Sequence, residues 1–367
     1  MGKRDERKVI EMENEFQELN GVKPSRQELK RRVEHVKKII VHHPLYEQVL
    51  EELEMRFDLG EDSVAPDCLY LYGPTGAGKS TVTSEFTSRY PREEVVTDSR
   101  EFTRITVLHV KVPPKATPRS LASKILFDLG DPNHFRGTES ELTSRVHHLF
   151  GKCEVKMVIL DEFQHLIDSD TLHVLVTASN WVKTFTEEIK IPVVLCGMPE
   201  SMRIFVNNPQ LDRRFTNKIE LPPFRYGTSA EITTFRKFLK EVEKQLPFAK
   251  PSNLTDIGIA DRIYYTSLGI PFYVMQLLIE ATAYAVNAGY DSIELRHLNQ
   301  AFKKIKQTAR PFTMNPFESE DFELATELHK ETEKENKYKQ EILAKQKLEK
   351  RLFNKNRKQN TDQPIGG

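Results

Sequence analysis

The sequence predicts an α/β fold in which a parallel sheet lies between helices, followed by a smaller all-helical domain and a charged helical C-terminal tail. Between about residues 68 and 224, short apolar runs alternate with helical patterns, which favours a parallel sheet covered on both faces. Residues 229–310 carry only helical periodicity. Charge then separates along the chain, since residues 318–335 contain eight acidic and two basic residues and residues 337–358 contain nine basic and two acidic ones.

The individual elements follow from local patterns. Ser25 and Glu28 form a capping box ahead of an amphipathic helix with a basic outer face, and a second helical pattern covers "LYEQVLEELEMRFDL". Four apolar runs predict the strands of the sheet: "CLYLYG", "ITVLHVKV", "VKMVILDE" and "IPVVLCG". The helical domain begins with one apolar stripe formed by Ile232, Phe235, Leu239 and Val242.

Composition limits the classes of protein that remain. The 367 residues have a formal net charge of zero, so any surface for nucleic acid must be local. No run approaches the roughly 20 apolar residues of a spanning helix, and the N-terminus lacks an apolar signal core. We therefore expect a cytoplasmic protein without a membrane partner. The three cysteines, Cys68, Cys153 and Cys196, adjoin apolar runs and are predicted to be buried free thiols.

A phosphate-binding loop of the Walker A type follows the first predicted strand. Its pattern, G-x-x-x-x-G-K-[ST], stands directly before a helical pattern. Glycines allow backbone N–H groups to point at phosphate oxygens, and the helix start adds its positive dipole end. Lys79 is expected to reach the β and γ phosphates, and Ser80 to bind magnesium. The predicted nucleotide-binding residues, called the P-loop below, are Gly73, Pro74, Thr75, Gly76, Ala77, Gly78, Lys79, Ser80 and Thr81.

Two carboxylates end the third predicted strand, as in a Walker B motif. In a parallel sheet, that end of the strand faces the ligand crevice. Asp161 is predicted to hold magnesium through water, and Glu162 to polarise the water that attacks the γ phosphate. Adjacent carboxylates at this place favour ATP hydrolysis over phosphoryl transfer to a small substrate.

An arginine pair lies between the strand region and the helical domain. Arg213 or Arg214 is predicted to reach the γ phosphate of a neighbouring subunit, where it would neutralise charge that develops during transfer. The sequence does not distinguish between them.

These motifs resemble those of the AAA+ superfamily and, more narrowly, the transposition-regulator ATPases of the TniB/TnsC type. The resemblance spans roughly residues 35–317 and depends on "IIVHHP", "YGPTGAGKST", "ILDEFQHL", "VVLCGMPES", "NPQLDRRF" and "NPF". It implies an AAA+ core with a helical lid in a bacterial mobile-element protein that uses ATP and Mg²⁺. It further implies assembly as a ring or helical filament around double-stranded target DNA, where the protein links a target-selector protein to the transposase.

Two departures from the family pattern suggest slow or partner-stimulated hydrolysis. Met198 stands where the family usually has Thr, and Cys196 is a poor substitute for a polar sensor. The segment "SLGIPFYVMQLL" has no arginine where many AAA+ proteins place a second sensor. With the resemblance, the expected domains are an N-terminal helical segment at 1–60, the nucleotide-binding domain at 61–225, the lid at 226–312 and a partner-docking tail at 313–367.

DNA contacts are predicted near the second strand of the sheet. Lys111, Lys115 and Arg119 lie on a strand end, a loop and a helix start that face the central channel in AAA+ proteins of this kind. Phosphate contacts from such residues are independent of sequence and weaken with salt. The basic face of residues 26–38 and the run 337–358 are competing sites.

Two other functions remain open. One is an AAA+ ATPase that remodels or loads a protein partner, although the loop "KVPPKATPRS" has no aromatic residue to grip a polypeptide. The other is a P-loop kinase acting on a small molecule. Two features argue against it: Glu162 stands beside Asp161, and an arginine pair precedes a helical lid.

Overall fold

The computed structural model describes residues 16–60, 67–98, 100–167, 171–305, 307–308 and 310–361, with side chains through residue 346. Residues 1–15 of the predicted N-terminal segment and residues 362–367 of the predicted tail lie outside the described residues. So do the side chains of the basic run beyond residue 346.

The chain divides into two compact units. The α/β unit comprises Val41–Phe224 with Ile270–Phe272, and the helical unit comprises Met1–Ile40, Arg225–Gly269 and Tyr273–Gly367. This division departs from the predicted boundaries in two places. The predicted N-terminal segment is split after Ile40, and the predicted tail groups with the lid.

The split of the N-terminal segment has a physical reason in its two helices, α1 (Arg26–Lys37) and α2 (Pro44–Gly60). On α1, the Arg32 guanidinium is 1% exposed and donates a 2.9 Å hydrogen bond to the carbonyl of Pro247 in the helical unit. On α2, Val49 and Leu53 pack in one apolar cluster with Leu69 of the sheet. Each helix therefore belongs to the unit that buries it.

Seven strands occur among the described residues. They are β1 (Leu69–Tyr72), β2 (Glu93–Val96), β3 (Glu101–Arg104), β4 (Val107–Lys111), β5 (Met157–Asp161), β6 (Val193–Gly197) and β7 (Asn217–Glu220). Five of them form a parallel sheet in the order β4-β5-β6-β1-β7, and β2 pairs with β3 in a separate antiparallel sheet. Strand β6 thus separates the strand that leads into the P-loop from the strand that ends in the carboxylates.

Helices cover both faces of the five-stranded sheet. Besides α2, the described helices of this unit are α3 (Lys79–Ser88), α4 (Pro118–Asp128), α5 (Glu139–Lys152), α6 (Leu172–Ile189), α7 (Arg203–Val206) and α8 (Pro209–Asp212), with 3-10 helices at Phe163–Leu166 and Pro199–Met202. Alternate residues of β5 show the two faces, because Ile159 packs in the cluster that contains α2 and α3, whereas Leu160 packs in the cluster that contains α4, α5 and α6. Such two-sided burial explains the nearly continuous apolar runs of these strands.

The four predicted strands are confirmed as β1, β4, β5 and β6, and the three cysteines are buried free thiols as predicted. The hairpin of β2 and β3 and the edge strand β7 were not predicted. The arginine pair was predicted to lie after the last strand of the core and before the helical domain. This position is wrong, because β7 follows Arg213 and Arg214.

The helical unit contains α1 and five later helices. They are α9 (Ser229–Lys244), α10 (Ile257–Ser267), α11 (Pro271–Asn287), α12 (Leu295–Lys304) and α13 (Leu324–Thr361). The predicted stripe of α9 is largely confirmed, since Phe235, Leu239 and Val242 are fully buried and Ile232 is half-buried. Thr228 and Glu231 form a capping box that begins this helix.

The base of α13 is fixed to the helical unit by a buried ion pair. Arg310 donates from Nε and Nη2 to the two carboxylate oxygens of Glu331, at 2.9 and 2.7 Å. Thr313 donates a further 2.9 Å hydrogen bond to Glu331. The predicted tail is therefore helical and attached at its start.

No single helix among the described residues is long and apolar enough to cross a membrane. Taken together, α10 and α11 satisfy the same length and composition limits, but they form a pair bent by 115°.

Candidate active site

The P-loop joins the end of β1 to the start of α3. Gly76 and Gly78 have φ values of 83° and 106°, a left-handed conformation that side chains with a Cβ rarely adopt. Gly78 directly precedes Lys79, the first residue of α3. The loop therefore ends at a helix N-terminus, where free backbone N–H groups and the helix dipole favour an anion.

Lys79 is held inside this loop. Its side chain is 9% exposed, and Nζ donates to the carbonyls of Gly73 at 2.7 Å and Pro74 at 3.0 Å. Burial lowers the pKa of this ammonium, and the nearby groups Cys196, Asp161 and Glu162 oppose the shift. A positive charge is thus concentrated at the loop where phosphates are expected to bind.

Asp161 ends β5 and is 4% exposed. Burial alone would raise the pKa of its carboxyl, but the nearby His109 and Ser80 side chains and a hydrogen bond from the backbone N–H of Glu162 bring that pKa below its usual value. The Glu162 N–H lies 2.8 Å from Oδ1. Asp161 is therefore kept ionised beside the Ser80 hydroxyl, and the structure brings together the two predicted magnesium ligands.

Glu162 leaves the strand through an unusual backbone conformation. Its φ and ψ are 57° and 37°, the left-handed region that few non-glycine residues occupy. The 3-10 helix that follows brings Gln164 beside it, and Gln164 Nε2 donates to Glu162 Oε2. Gln164 lies within the motif "ILDEFQHL", but the sequence alone predicted no role for it.

Strand β6 ends between the P-loop and the carboxylates. Its register aligns Gly197 with Tyr72 of β1 and Leu195 with Leu160 of β5, so Met198 follows the strand at the middle of the site. The Met198 N–H donates a 3.3 Å hydrogen bond to Gln164 Oε1. Burial raises the pKa of the Cys196 thiol well above its usual value, which leaves this side chain a neutral group below the site.

His109 is a second neighbour of the site that sequence reasoning missed. Its Nε2 lies 3.8 Å from Asp161 Oδ2, across the pairing of β4 with β5. The sequence signal was a histidine in the middle of the largely apolar run "ITVLHVKV", and its relevance shows only once the two strands are paired.

The two arginines of the predicted pair differ in their contacts. Arg214 Nη2 lies 3.6 Å from a carboxylate oxygen of Glu187, whereas Arg213 is exposed and has no side-chain partner among the described contacts. None of those contacts joins either arginine to the P-loop or to the two carboxylates of the same chain.

The predicted DNA-binding residues also differ. Lys111 and Lys115 are exposed, and Lys111 pairs in register with Asp161 at the same edge of the sheet. Arg119 instead donates to the carbonyls of Phe135 and Gly137, both at 3.1 Å, and thereby fixes the loop between α4 and α5. The structure thus leaves two of the three side chains available.

The fold is that of an AAA+ P-loop NTPase core with a helical lid domain. The Aeropyrum pernix ORC1 protein in complex with DNA is similar in fold, with 16% identity, a TM-score of 0.54, and 75% of this chain and 69% of that chain covered. The Aeropyrum pernix ORC2 protein in ADPNP–ADP complexes has 18% identity and a TM-score of 0.53, with 76% of this chain and 73% of that chain covered. Cdc6p from Pyrobaculum aerophilum has 16% identity and a TM-score of 0.54, with 74% of this chain and 70% of that chain covered.

The family model for the bacterial TniB protein matches residues 32–226, more than half of the chain. The chain therefore belongs to the TniB family, as its motifs predicted. None of the curated proteins compared with the chain matches it significantly.

Proposed function

We propose that this protein is an ATP-dependent, DNA-binding regulator of transposition. One observation carries the ATPase part of the proposal: Lys79, Ser80, Asp161 and Glu162 meet at the same edge of the sheet. A kinase and an ATPase can share the P-loop, but a second carboxylate directly after the metal-binding one is suited to activating water.

The donor set fits magnesium. This cation prefers hard oxygen ligands, and proteins usually supply one or two carboxylates while phosphates and water complete the shell. The Ser80 hydroxyl and the ionised Asp161 carboxylate are such ligands, and they are close enough that Ser80 helps to lower the pKa of Asp161. When bound, magnesium would neutralise part of the negative charge of the phosphates.

The protein groups have separate tasks in the proposed hydrolysis of ATP. The P-loop N–H groups and the Lys79 ammonium bind and orient the phosphates, because fixed positive groups stabilise the charge that develops at the γ phosphate. Glu162 accepts a hydrogen bond from the attacking water and orients it. Arg213 of a neighbouring subunit supplies the remaining positive charge, which its exposure and lack of a partner among the described contacts support.

The second part of the proposal is assembly on DNA. An arginine that acts on a neighbour's nucleotide requires ATP-bound subunits to stack as a ring or helical filament. Lys111 and Lys115 are proposed to contact the phosphates of double-stranded target DNA, since both are exposed at the site edge of the sheet. Membership of the TniB family supports the transposition role, in which the assembly links a target selector to the transposase.

Electron microscopy of the purified chain tests this proposal. The protein is mixed with non-specific duplex DNA and either a non-hydrolysable ATP analogue or no nucleotide. We expect rings or filaments on DNA only with the analogue. Glu162→Gln with ordinary ATP is expected to give the same assemblies, because it binds ATP without hydrolysing it. Assemblies that form without binding DNA would instead favour an ATPase that remodels or loads a protein partner.

A further inference from the structure

Gln164 connects Glu162 to the neighbouring strand of the sheet. We propose that Gln164 is a positioning residue, which holds the Glu162 carboxylate in the orientation that polarises the attacking water. This inference rests on the ATPase activity proposed above. Gln164 touches neither nucleotide nor water in the proposal and acts only through Glu162.

The direction of the two hydrogen bonds fixes the Gln164 amide. The backbone N–H of Met198 can only donate, so the amide atom 3.3 Å from it must be the oxygen, Oε1. The amide NH₂ then necessarily faces Glu162, where Nε2 donates to Oε2. An oxygen–nitrogen flip would place two donors together at Met198 and two acceptors together at Glu162. Gln164 therefore occupies one oxygen of Glu162 and leaves Oε1 for the water.

The backbone at Glu162 needs such support. A non-glycine residue in the left-handed conformation is strained, and Glu162 adopts it with φ at 57°. A hydrogen bond to a charged side chain is among the stronger ones and helps to offset that strain. The next residue, Phe163, is fully buried and begins the 3-10 helix that brings Gln164 back towards Glu162.

The end of β6 leaves space for the amide. A Cβ at Gly197 would lie 3.5 Å from Gln164 Oε1 and 3.0 Å from Ser201 Oγ, so a larger side chain at position 197 would meet both. The following side chain, Met198, is a thioether and offers no N–H or O–H to the site. The side chain at position 198 therefore cannot donate a hydrogen bond to Glu162. In this chain Gln164 takes that place, because it bonds both to the Glu162 carboxylate and to the Met198 backbone at the end of β6.

The test compares ATP binding with ATP turnover in full-length variants. Gln164→Ala is expected to lower kcat about 10- to 100-fold, the range for a slightly misplaced catalytic group, while leaving ATP affinity and KM within about twofold of the wild-type values. Gln164→Glu has nearly the same shape but offers Glu162 no donor, so it should not restore kcat. Gln245→Ala, on the helical unit, is the matched control and should leave both quantities unchanged.

A double variant distinguishes positioning from a general structural effect. If Gln164 acts through Glu162, adding Gln164→Ala to Glu162→Gln should lower the residual kcat no further. Unchanged or increased kcat in Gln164→Ala would overturn the inference, as would additive losses in the double variant. Wild-type protein that fails to hydrolyse ATP at all would instead overturn the proposed function.

Discussion

Both units bury charged side chains, but the two groups of charges are arranged differently. In the helical unit, Arg310 and Glu331 are 11% and 6% exposed, and two parallel hydrogen bonds join them. In the α/β unit, the described contacts of the Lys79 ammonium are with backbone carbonyls of its own loop, and it has no carboxylate partner among them. The Arg310 charge is hydrogen-bonded to its counter-ion, whereas the Lys79 ammonium has the carboxylates of Asp161 and Glu162 nearby but no described hydrogen bond to either.

The difference separates charges that maintain the fold from charges available to a ligand. A buried pair with complete hydrogen bonding loses little by leaving water, and breaking it strands one uncompensated charge. A buried ammonium whose hydrogen bonds are made only to carbonyls keeps its positive charge unneutralised by direct contact, and its field can attract an anion. We infer that Arg310 and Glu331 serve stability and that Lys79 serves binding.

The same distinction separates residues on the surface. Arg214 is paired with Glu187, and Arg119 is bonded to two carbonyls of its loop. Arg213, Lys111 and Lys115 are exposed without such bonds among the described contacts. Four sets of variants test whether partnered charges support structure and unpartnered charges support function.

The largest effect is expected for Glu331→Ala. This change leaves Arg310 charged and buried, and losing one member of a buried pair costs about 3–5 kcal/mol. Chemical denaturation of the full chain should show this loss in the helical unit. ATP affinity, measured on the folded protein, should remain unchanged. Replacing both residues with apolar ones, as Arg310→Met with Glu331→Leu, should recover most of the stability.

Lys79→Ala should have the opposite pattern. Without the ammonium, ATP affinity should fall at least about 100-fold, equivalent to about 2.7 kcal/mol. The free energy of unfolding should change by less than about 1 kcal/mol, because no counter-ion is left unpaired. Titration with a fluorescent ATP analogue and thermal melting measure the two quantities, with the exposed Lys240→Ala as control. Undiminished ATP affinity would refute the role given to Lys79.

The arginine pair gives the next comparison. Arg213→Ala should reduce DNA-stimulated ATP hydrolysis about 10- to 100-fold, whereas Arg214→Ala loses a partly exposed ion pair worth at most about 1 kcal/mol. Mixing the Arg213→Ala and Lys79→Ala variants provides a further test. The first keeps an intact P-loop and the second keeps Arg213, so mixed assemblies should regain activity that neither variant has alone. The opposite ranking of the two arginines would reverse the assignment.

The smallest effect is expected for single lysines. Lys111→Ala or Lys115→Ala should each reduce the slope of log affinity against log salt by about one for non-specific duplex DNA. Arg119→Ala should leave that slope unchanged, because its guanidinium holds the loop before α5. Fluorescence anisotropy at several salt concentrations gives the slopes. A slope that falls only for Arg119→Ala would place the DNA contact elsewhere.

Local sequence was sufficient for the central features of the fold and site. The P-loop and the two carboxylates have short-range spacing that permits few other interpretations, and long apolar runs identified four strands. Strand β7 and the hairpin were missed because they are short and partly exposed, with polar residues such as Asn217 and Glu101 in place of an apolar run. Exposed edge strands lack the burial that produces a clear pattern.

Other features depend on residues that meet only in the folded chain. His109 and Asp161 come together through the pairing of β4 with β5, and Gln164 accepts a hydrogen bond from the backbone N–H of Met198, the residue after β6. Local spacing cannot reveal these contacts. Local spacing also cannot pair Arg214 with Glu187, which lies on α6. Nor can it assign α1 to the helical unit, because that assignment depends on contacts such as the hydrogen bond from Arg32 to Pro247.

The helix α13 extends well beyond its attachment at Glu331. With a rise of about 1.5 Å per residue, the part from Glu331 to Thr361 is about 45 Å long. A continuous helix of this length acts as a spacer rather than a loose tether. Removing one turn would bring the far end of the helix about 5 Å closer to Glu331, so the number of residues in α13 sets how far its end lies from the point of attachment.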